Sequence, residues 1–171
     1  LYYLRRFFCF FRDIFHDTQI NDVLLTVELA NCFIRMSNVL RKHVSMLGVK
    51  IDDINRKLLL DGLAQPASEY RKIVYKQAFS GEKTHIQMDG LRQFVDLCIQ
   101  YLEQSIRANK RDDNLYHAYN LMTLKNENEI AVSHLSEMLE GQVAVLSSGY
   151  LSSADALQLL DSLKRSNLYR K

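Results

Sequence analysis

Apolar residues recur at helical spacing along most of the chain. Leu91, Phe94, Val95, Cys98, Ile99, Leu102 and Ile106 follow one another at steps of one, three and four, which predicts a long helix over about 88–108. Leu25, Leu29, Phe33, Met36, Leu40, Val44 and Leu47 predict another over 20–47, started by Thr18 or Asn21 and closed by Gly48. A helix of about 26 residues spans roughly 40 Å, a length found in bundles and helical toroids. Ile51–Gln65 reads as a shorter helix begun by Asp52 or Asp53, and Pro66 as the first turn of the next, which runs to Phe79. SGEKTH (80–85) reads as a surface turn. Glu127–Ser147, with Ile130, Val132, Leu135, Met138, Leu139, Val143 and Leu146 inward, reads as one helix ended by Gly149. Ser152-Ser153-Ala154-Asp155 is a capping-box variant that opens a last helix to about Ser166.

Leu1–Phe15 (LYYLRRFFCFFRDIF) is apolar over most of a helix circumference, with Arg5, Arg6, Arg12 and Asp13 gathered on one side. That pattern predicts a central core helix; a membrane-surface or partner-binding helix is the alternative. The expected fold is therefore all-α: seven or eight antiparallel helices in hairpins, arranged as a bundle or a partial (α/α) toroid. Residues 1–171 are expected to form one helical domain. The chain opens on Leu1 inside an apolar pattern, so it is expected to be a piece of a larger protein, whose remainder would be its first partner.

Composition narrows the function classes. With 22 basic and 20 acidic residues, the net charge of +2 supplies no electrostatic reason to bind nucleic acid or a membrane surface. Cys9, Cys32 and Cys98 are odd in number, widely spaced and set in apolar runs, which predicts buried thiols in a reducing, cytoplasmic compartment. No apolar run reaches the roughly 18 residues of a membrane span. Glycine-rich phosphate loops, G-x-S-x-G, C-x-x-C and H-E-x-x-H are all missing from the sequence, and no cofactor is expected. His134 and Glu137 are one turn apart on the predicted helix, yet a di-metal bundle needs E-x-x-H pairs on two helices. The chain's single E-x-x-H, Glu82 with His85, falls in the predicted turn, so no metal is expected.

The chemistry concentrates in NKRDDNLYHAYNLMTL (109–124). If this stretch is helical, Tyr116 and Asn120 share a face, as do Asp113 and His117. An Asp–His pair at that spacing could orient the imidazole or raise its pKa. The plainer reading is a turn salt bridge, with tyrosine rings filling the core.

That segment, with SEMLEGQVAVLSSGYLSSADALQLLDSLKRSNLYRK, resembles part of a family of very large, poorly characterised bacterial proteins associated with the (α/α) toroid of glycoside hydrolases and phosphorylases. The likeness covers the last 65 residues or so, and LYHAYN (115–120) and EMLEGQVAVLSSG (137–149) carry most of it. It implies a helical domain of a larger carbohydrate-active protein, mainly structural and contributing part of a sugar site. Such a protein would continue past Lys171. Aromatic faces beside amides and carboxylates suit sugar recognition, which makes Tyr116, Tyr119 and Asn120 candidate binding residues. Asp113, His117 and Glu140 are the candidate catalytic residues. Inverting hydrolysis needs carboxyls about 6.5–9.5 Å apart, and Asp112 or Asp113 with Glu140 is the available pairing. The alternative is a non-catalytic helical module for protein–protein interaction or oligomerisation, with a second copy of the chain as a candidate partner.

Overall fold

Two short strands feed directly into helices, and that junction sets the architecture. The computed structural model describes residues 1–169. Helix α1 (Tyr2–Asp17) is followed by strand β1 (Asp22–Thr26), helix α2 (Val27–Lys42) and a 3₁₀ turn at Val44–Met46. Helix α3 (Asp53–Gln77), strand β2 (Lys83–Gln87) and helix α4 (Met88–Ala108) come next. Strands β3 (Asn120–Asn126) and β4 (Glu129–His134) and helices α5 (Leu139–Ser147) and α6 (Ser153–Arg165) complete the described residues.

The all-α expectation is overturned. Among the described residues, six α-helices are accompanied by two antiparallel two-stranded sheets, β1–β2 and β3–β4. In the first sheet Val23 pairs with Ile86 and Leu25 with Thr84. Each strand runs into its helix without a break: the Val27 N–H donates to Glu82 O at 3.1 Å and the Met88 N–H to Asn21 O at 2.8 Å. The apolar periodicity assigned to a helix from residue 20 therefore crosses a strand first. Thr26 makes the change of conformation, its hydroxyl accepting the Leu29 N–H at the start of α2. The last three residues of the expected SGEKTH turn, Lys83, Thr84 and His85, lie in β2.

A second correction falls on Glu127–Ser147, which is strand, link and then helix. Asn126-Glu127-Asn128 turns the chain, the Asn126 side-chain oxygen accepting the Asn128 N–H at 2.8 Å, and the strands on either side pair as a hairpin. Only α5 of the expected helix is helical. Strand β3 is exposed throughout, while β4 lays Ile130 against α3. Arg56 of α3 fixes that contact by donating to Ile130 O at 2.6 Å, and Lys125 meets Asp53 at 2.6 Å.

Pro66 neither starts nor breaks a helix: α3 runs through it as one 25-residue element. Proline removes one backbone bond and crowds the carbonyl four residues back, which here belongs to Gly62. Packing against α2 on both sides of that point compensates. Gly62 sits so close to Val39 that an added Cβ would lie 2.8 Å from Val39 Cγ1, and Arg35 pairs with Glu69 one turn further on. Helix α4 holds the interior as its spacing predicts, burying Val95, Leu97, Cys98, Ile99 and Ile106. Cys98 is buried, and burial pushes its thiol up to about 12; Cys9 and Cys32 are only half-buried.

Helix α1 departs most from its expectation, because it is not enclosed. Arg5, expected on an outward polar side, points into the molecule. Its guanidinium donates to Glu103 Oε1 at 2.9 and 2.6 Å and to Ser148 O at 3.0 Å, and lies over the Tyr150 ring. Phe8 packs edge-on against Phe94 of α4. The opposite side faces solvent with Tyr3, Phe7, Phe10 and Ile14.

Candidate functional site

Residues 109–119 form a tight loop, not a helix. Asn109 caps α4, and an isolated antiparallel bridge joins Lys110 to Tyr116. Between them the Arg111 N–H donates to Leu115 O at 2.9 Å, and Asn114 takes a left-handed conformation at φ 63°. An Asn tolerates that conformation better than most side chains. The i,i+4 pairings expected from a helix therefore do not form.

Asp113 goes to Arg111 instead of His117. Arg111 grips the carboxylate with Nε at 3.0 Å and Nη2 at 2.8 Å, and the Leu115 N–H donates to it at 3.1 Å. The Arg111 hydrogen bonds hold the Asp113 carboxyl below the ordinary range. Arg111 also reaches Glu137 at 3.4 Å, so Glu137 is engaged away from His134.

Tyr116 is sealed inside, 4% exposed, among Tyr2, Ile106, Leu115, Val145 and Leu159. Gln142, fully buried on α5, reads the Tyr116 backbone as a strand would: its Oε1 accepts the Tyr116 N–H at 2.9 Å and its Nε2 donates to Tyr116 O at 2.8 Å. Gly141 permits the approach, since a Cβ there would lie 2.9 Å from Tyr116 O and 3.1 Å from the Ala118 side chain. Neither Gly141 nor Gln142 was expected to matter. The available signal was a glycine inside an apolar helical run, which marks a close backbone contact.

His117 is fixed from three sides. Its N–H donates to Asn109 O at 2.9 Å, the Tyr2 hydroxyl approaches its carbonyl at 3.5 Å, and its ring stacks on His134 of β4 with centroids 3.9 Å apart and planes 7° apart. His117 Nδ1 is buried and has no hydrogen-bond partner among the described residues. Burial, with the His134 and Arg111 charges, lowers the His117 pKa below its ordinary 6.5; nearby Asp113 opposes this least of the contributing groups. The expected effect of Asp113 is therefore outweighed. His134 is held in turn by Asn120, its register partner, whose Oδ1 accepts from His134 Nδ1 at 2.8 Å while Asn120 Nδ2 donates to Asn109 Oδ1 at 2.9 Å.

Tyr119 is exposed and Glu140 stands exposed in the first turn of α5, where a carboxylate complements the helix dipole. Both border a shallow cleft of about 540 Å³ with Tyr3, Leu139 and Val143. A larger cavity of about 700 Å³ is bordered by Tyr101, Gln104, Asn109, Asn120 and His134. Its polar groups are largely committed to the fold: Tyr101 donates to Leu40 O at 2.9 Å, and Gln104 donates to Val49 O at 2.5 Å while accepting the Gly48 N–H at 3.2 Å.

The structure thus joins His117, Asn120, Asn109 and His134 into one cluster, buries Tyr116 behind it, and leaves Asp113, Tyr119 and Glu140 apart with other partners or none. Among the described residues no three His, Cys, Asp or Glu side chains gather as metal ligands, and no helix is long and apolar enough to cross a membrane. No known family model and no curated protein matches the chain.

Proposed function

We propose that this chain is a non-catalytic interaction module, whose working surface is the outer side of α1. The observation that carries the reading is the exposure of Tyr3 (65%), Phe7 (52%), Phe10 (60%) and Ile14 (43%) on one continuous stripe of that helix. Scattered apolar residues are ordinary on a surface, but a contiguous aromatic stripe is a feature of contact sites. The surface extends beyond α1, because Tyr3 shares a cleft with Tyr119, Leu139 and Val143. The engagement of the candidate catalytic groups supports the same reading: Asp113 is neutralised by Arg111, and His117 is wedged against His134.

The double variant Phe7→Ser/Phe10→Ser tests this. The expected result, measured dilute at about 1 µM, is an unchanged melting temperature and circular dichroism, with a marked loss of binding to an apolar-surface dye. A melting temperature lowered by more than about 5 °C at that dilution would mean the rings stabilise the fold itself, and the reading would be lost.

A second reading, a partial sugar site in a larger carbohydrate-active bacterial protein, is favoured by the cavity at Asn109, Asn120 and His134, where amides and an imidazole border a space of about 700 Å³. Calorimetric titration with neutral mono- and oligosaccharides checks it. Binding that disappears in Asn120→Ala supports the site, and no heat at millimolar sugar removes it.

A further inference from the structure

Helix α1 carries the pattern of a self-complementary seam. Its exposed apolar residues, Tyr3, Phe7, Phe10 and Ile14, are spaced four, three and four apart, the alternation that keeps one stripe facing a partner helix. Asp17, next in the series, closes the seam. One flank carries Arg6 and Asp13, seven residues apart and both exposed; the other carries Leu4 and Phe11. Asp13 is 71% exposed in its side chain, and its only ion-pair contact among the described residues is a 3.5 Å approach from neighbouring Arg12.

These positions fix both the occupant and its direction. If a second α1 runs parallel, the charged flank of each copy meets the apolar flank of the other, leaving Arg6 and Asp13 beside Leu4 and Phe11. If it runs antiparallel, the charged flanks meet each other, and so do the apolar flanks. Arg6 of one copy then comes opposite Asp13 of the other, twice by symmetry, and Leu4 opposite Phe11. A two-fold axis requires one patch to be its own complement, and this patch is.

Resting on the interaction reading above, we propose that the partner covering α1 is a second copy of this chain, bound antiparallel through Tyr3, Phe7, Phe10 and Ile14 with reciprocal Arg6–Asp13 pairs. The apolar seam supplies the affinity, and the charge pairs choose the direction.

The test is sedimentation equilibrium of the wild-type chain, of Arg6→Glu and Asp13→Arg separately, and of the two variants mixed. Both substituted positions are solvent-facing, so folding is kept, and circular dichroism verifies it. The expected result is a wild-type dimer and at least about tenfold weaker self-association for either single variant, which places like charges opposite one another twice. Mixing the two restores a dimer, because one copy then carries two negative and the other two positive groups on the facing flanks. A dimer indifferent to the single changes, or a mixture that fails to recover, overturns the antiparallel arrangement. A wild-type monomer at every concentration overturns self-association, as does depletion of the wild-type chain by phosphatidylcholine or phosphatidylserine vesicles with no dimer in their absence. In those cases the Phe7→Ser/Phe10→Ser comparison still decides the interaction reading on its own: dye binding lost with the fold intact keeps it, and an unfolded double variant removes it.

Discussion

A single buried amide governs how the central loop meets α5. Gln142 satisfies both backbone groups of Tyr116 where no water reaches, so its removal leaves an N–H and a carbonyl unpaired in the interior. Gln142→Ala should destabilise the chain by about 2–3 kcal/mol in urea unfolding. Gly141 next to it gives a sharper comparison. Gly141→Ala drives a Cβ to 2.9 Å from Tyr116 O, a backbone atom that cannot move without breaking the Gln142 contact, and should cost about 1–3 kcal/mol. Gly90→Ala, in the first turn of α4 with open space around it, should instead add about 0.5–1 kcal/mol. His117 makes stability depend on pH. Its pKa is lower folded than unfolded, so below 6.5 the unfolded chain binds the extra proton first. The stabilisation is complete above 6.5 and is lost as pH falls toward the folded value. Wild type should therefore melt lower at pH 5 than at pH 7.5, and His117→Phe should reduce that difference. The Asp113 carboxyl is lowered too, but its contribution disappears only below its ordinary 3.8, outside this window.

At the scale of elements, helices with an uninterrupted period of their own were legible and elements joined without punctuation were not. Helix α4 was readable because seven apolar residues keep one face through 21 residues, and α6 because Ser152 accepts the Asp155 N–H at 3.1 Å as its capping box implies. Strand β1 was hidden because Asp22–Thr26 runs straight into a true helical stripe and contributes Leu25 to its apparent period. Its partner β2 is 61 positions away, so the pairing that makes both of them strands leaves no local mark. The β3–β4 hairpin did leave one, in the turn residues Asn126-Glu127-Asn128. Of the candidate site, the crowding of amides and imidazole was legible, but the partner choices were not. Asp113 preferred a guanidinium two residues away, and His117 found His134, 17 positions along the chain. The Asn120–His134 pair is the clasp at the open end of the hairpin. Asn120→Ala should raise amide exchange in β3 and β4 by roughly tenfold while leaving α4 protection unchanged, since the exposed β3 has little else to hold it.

Over the whole molecule, α1 has to be held from behind if its front is to be offered to a partner. Arg5 does the holding: one guanidinium joins α1 to Glu103 on α4 and to the Ser148 carbonyl after α5, with Tyr150 beneath it. Two apolar clusters, one around Ile106, Tyr116 and Val145 and one around Leu40 and Leu97, meet the inner side of α1 through Tyr2 and Phe8 respectively. The outer aromatic rings contact one another along the helix, Phe7 on Phe11 at 4.6 Å and Phe10 on Phe11 at 5.7 Å, so they arrive at a partner already ordered. Ordering of large side chains before contact reduces the entropy lost on association. Linkage then ties folding to concentration: a dimer that binds only the folded chain raises the melting temperature as the protein is concentrated, and a monomer does not. Differential scanning fluorimetry from about 1 to 100 µM should show an upward shift of roughly 2–6 °C for the wild type. Phe7→Ser/Phe10→Ser should melt at one temperature throughout that range. Arg5→Met should separate the two roles of α1. It leaves Glu103 and the Ser148 carbonyl without their donor, so it should lower the melting temperature at every concentration, and it should also weaken the concentration dependence, because a loosened helix no longer presents a fixed stripe.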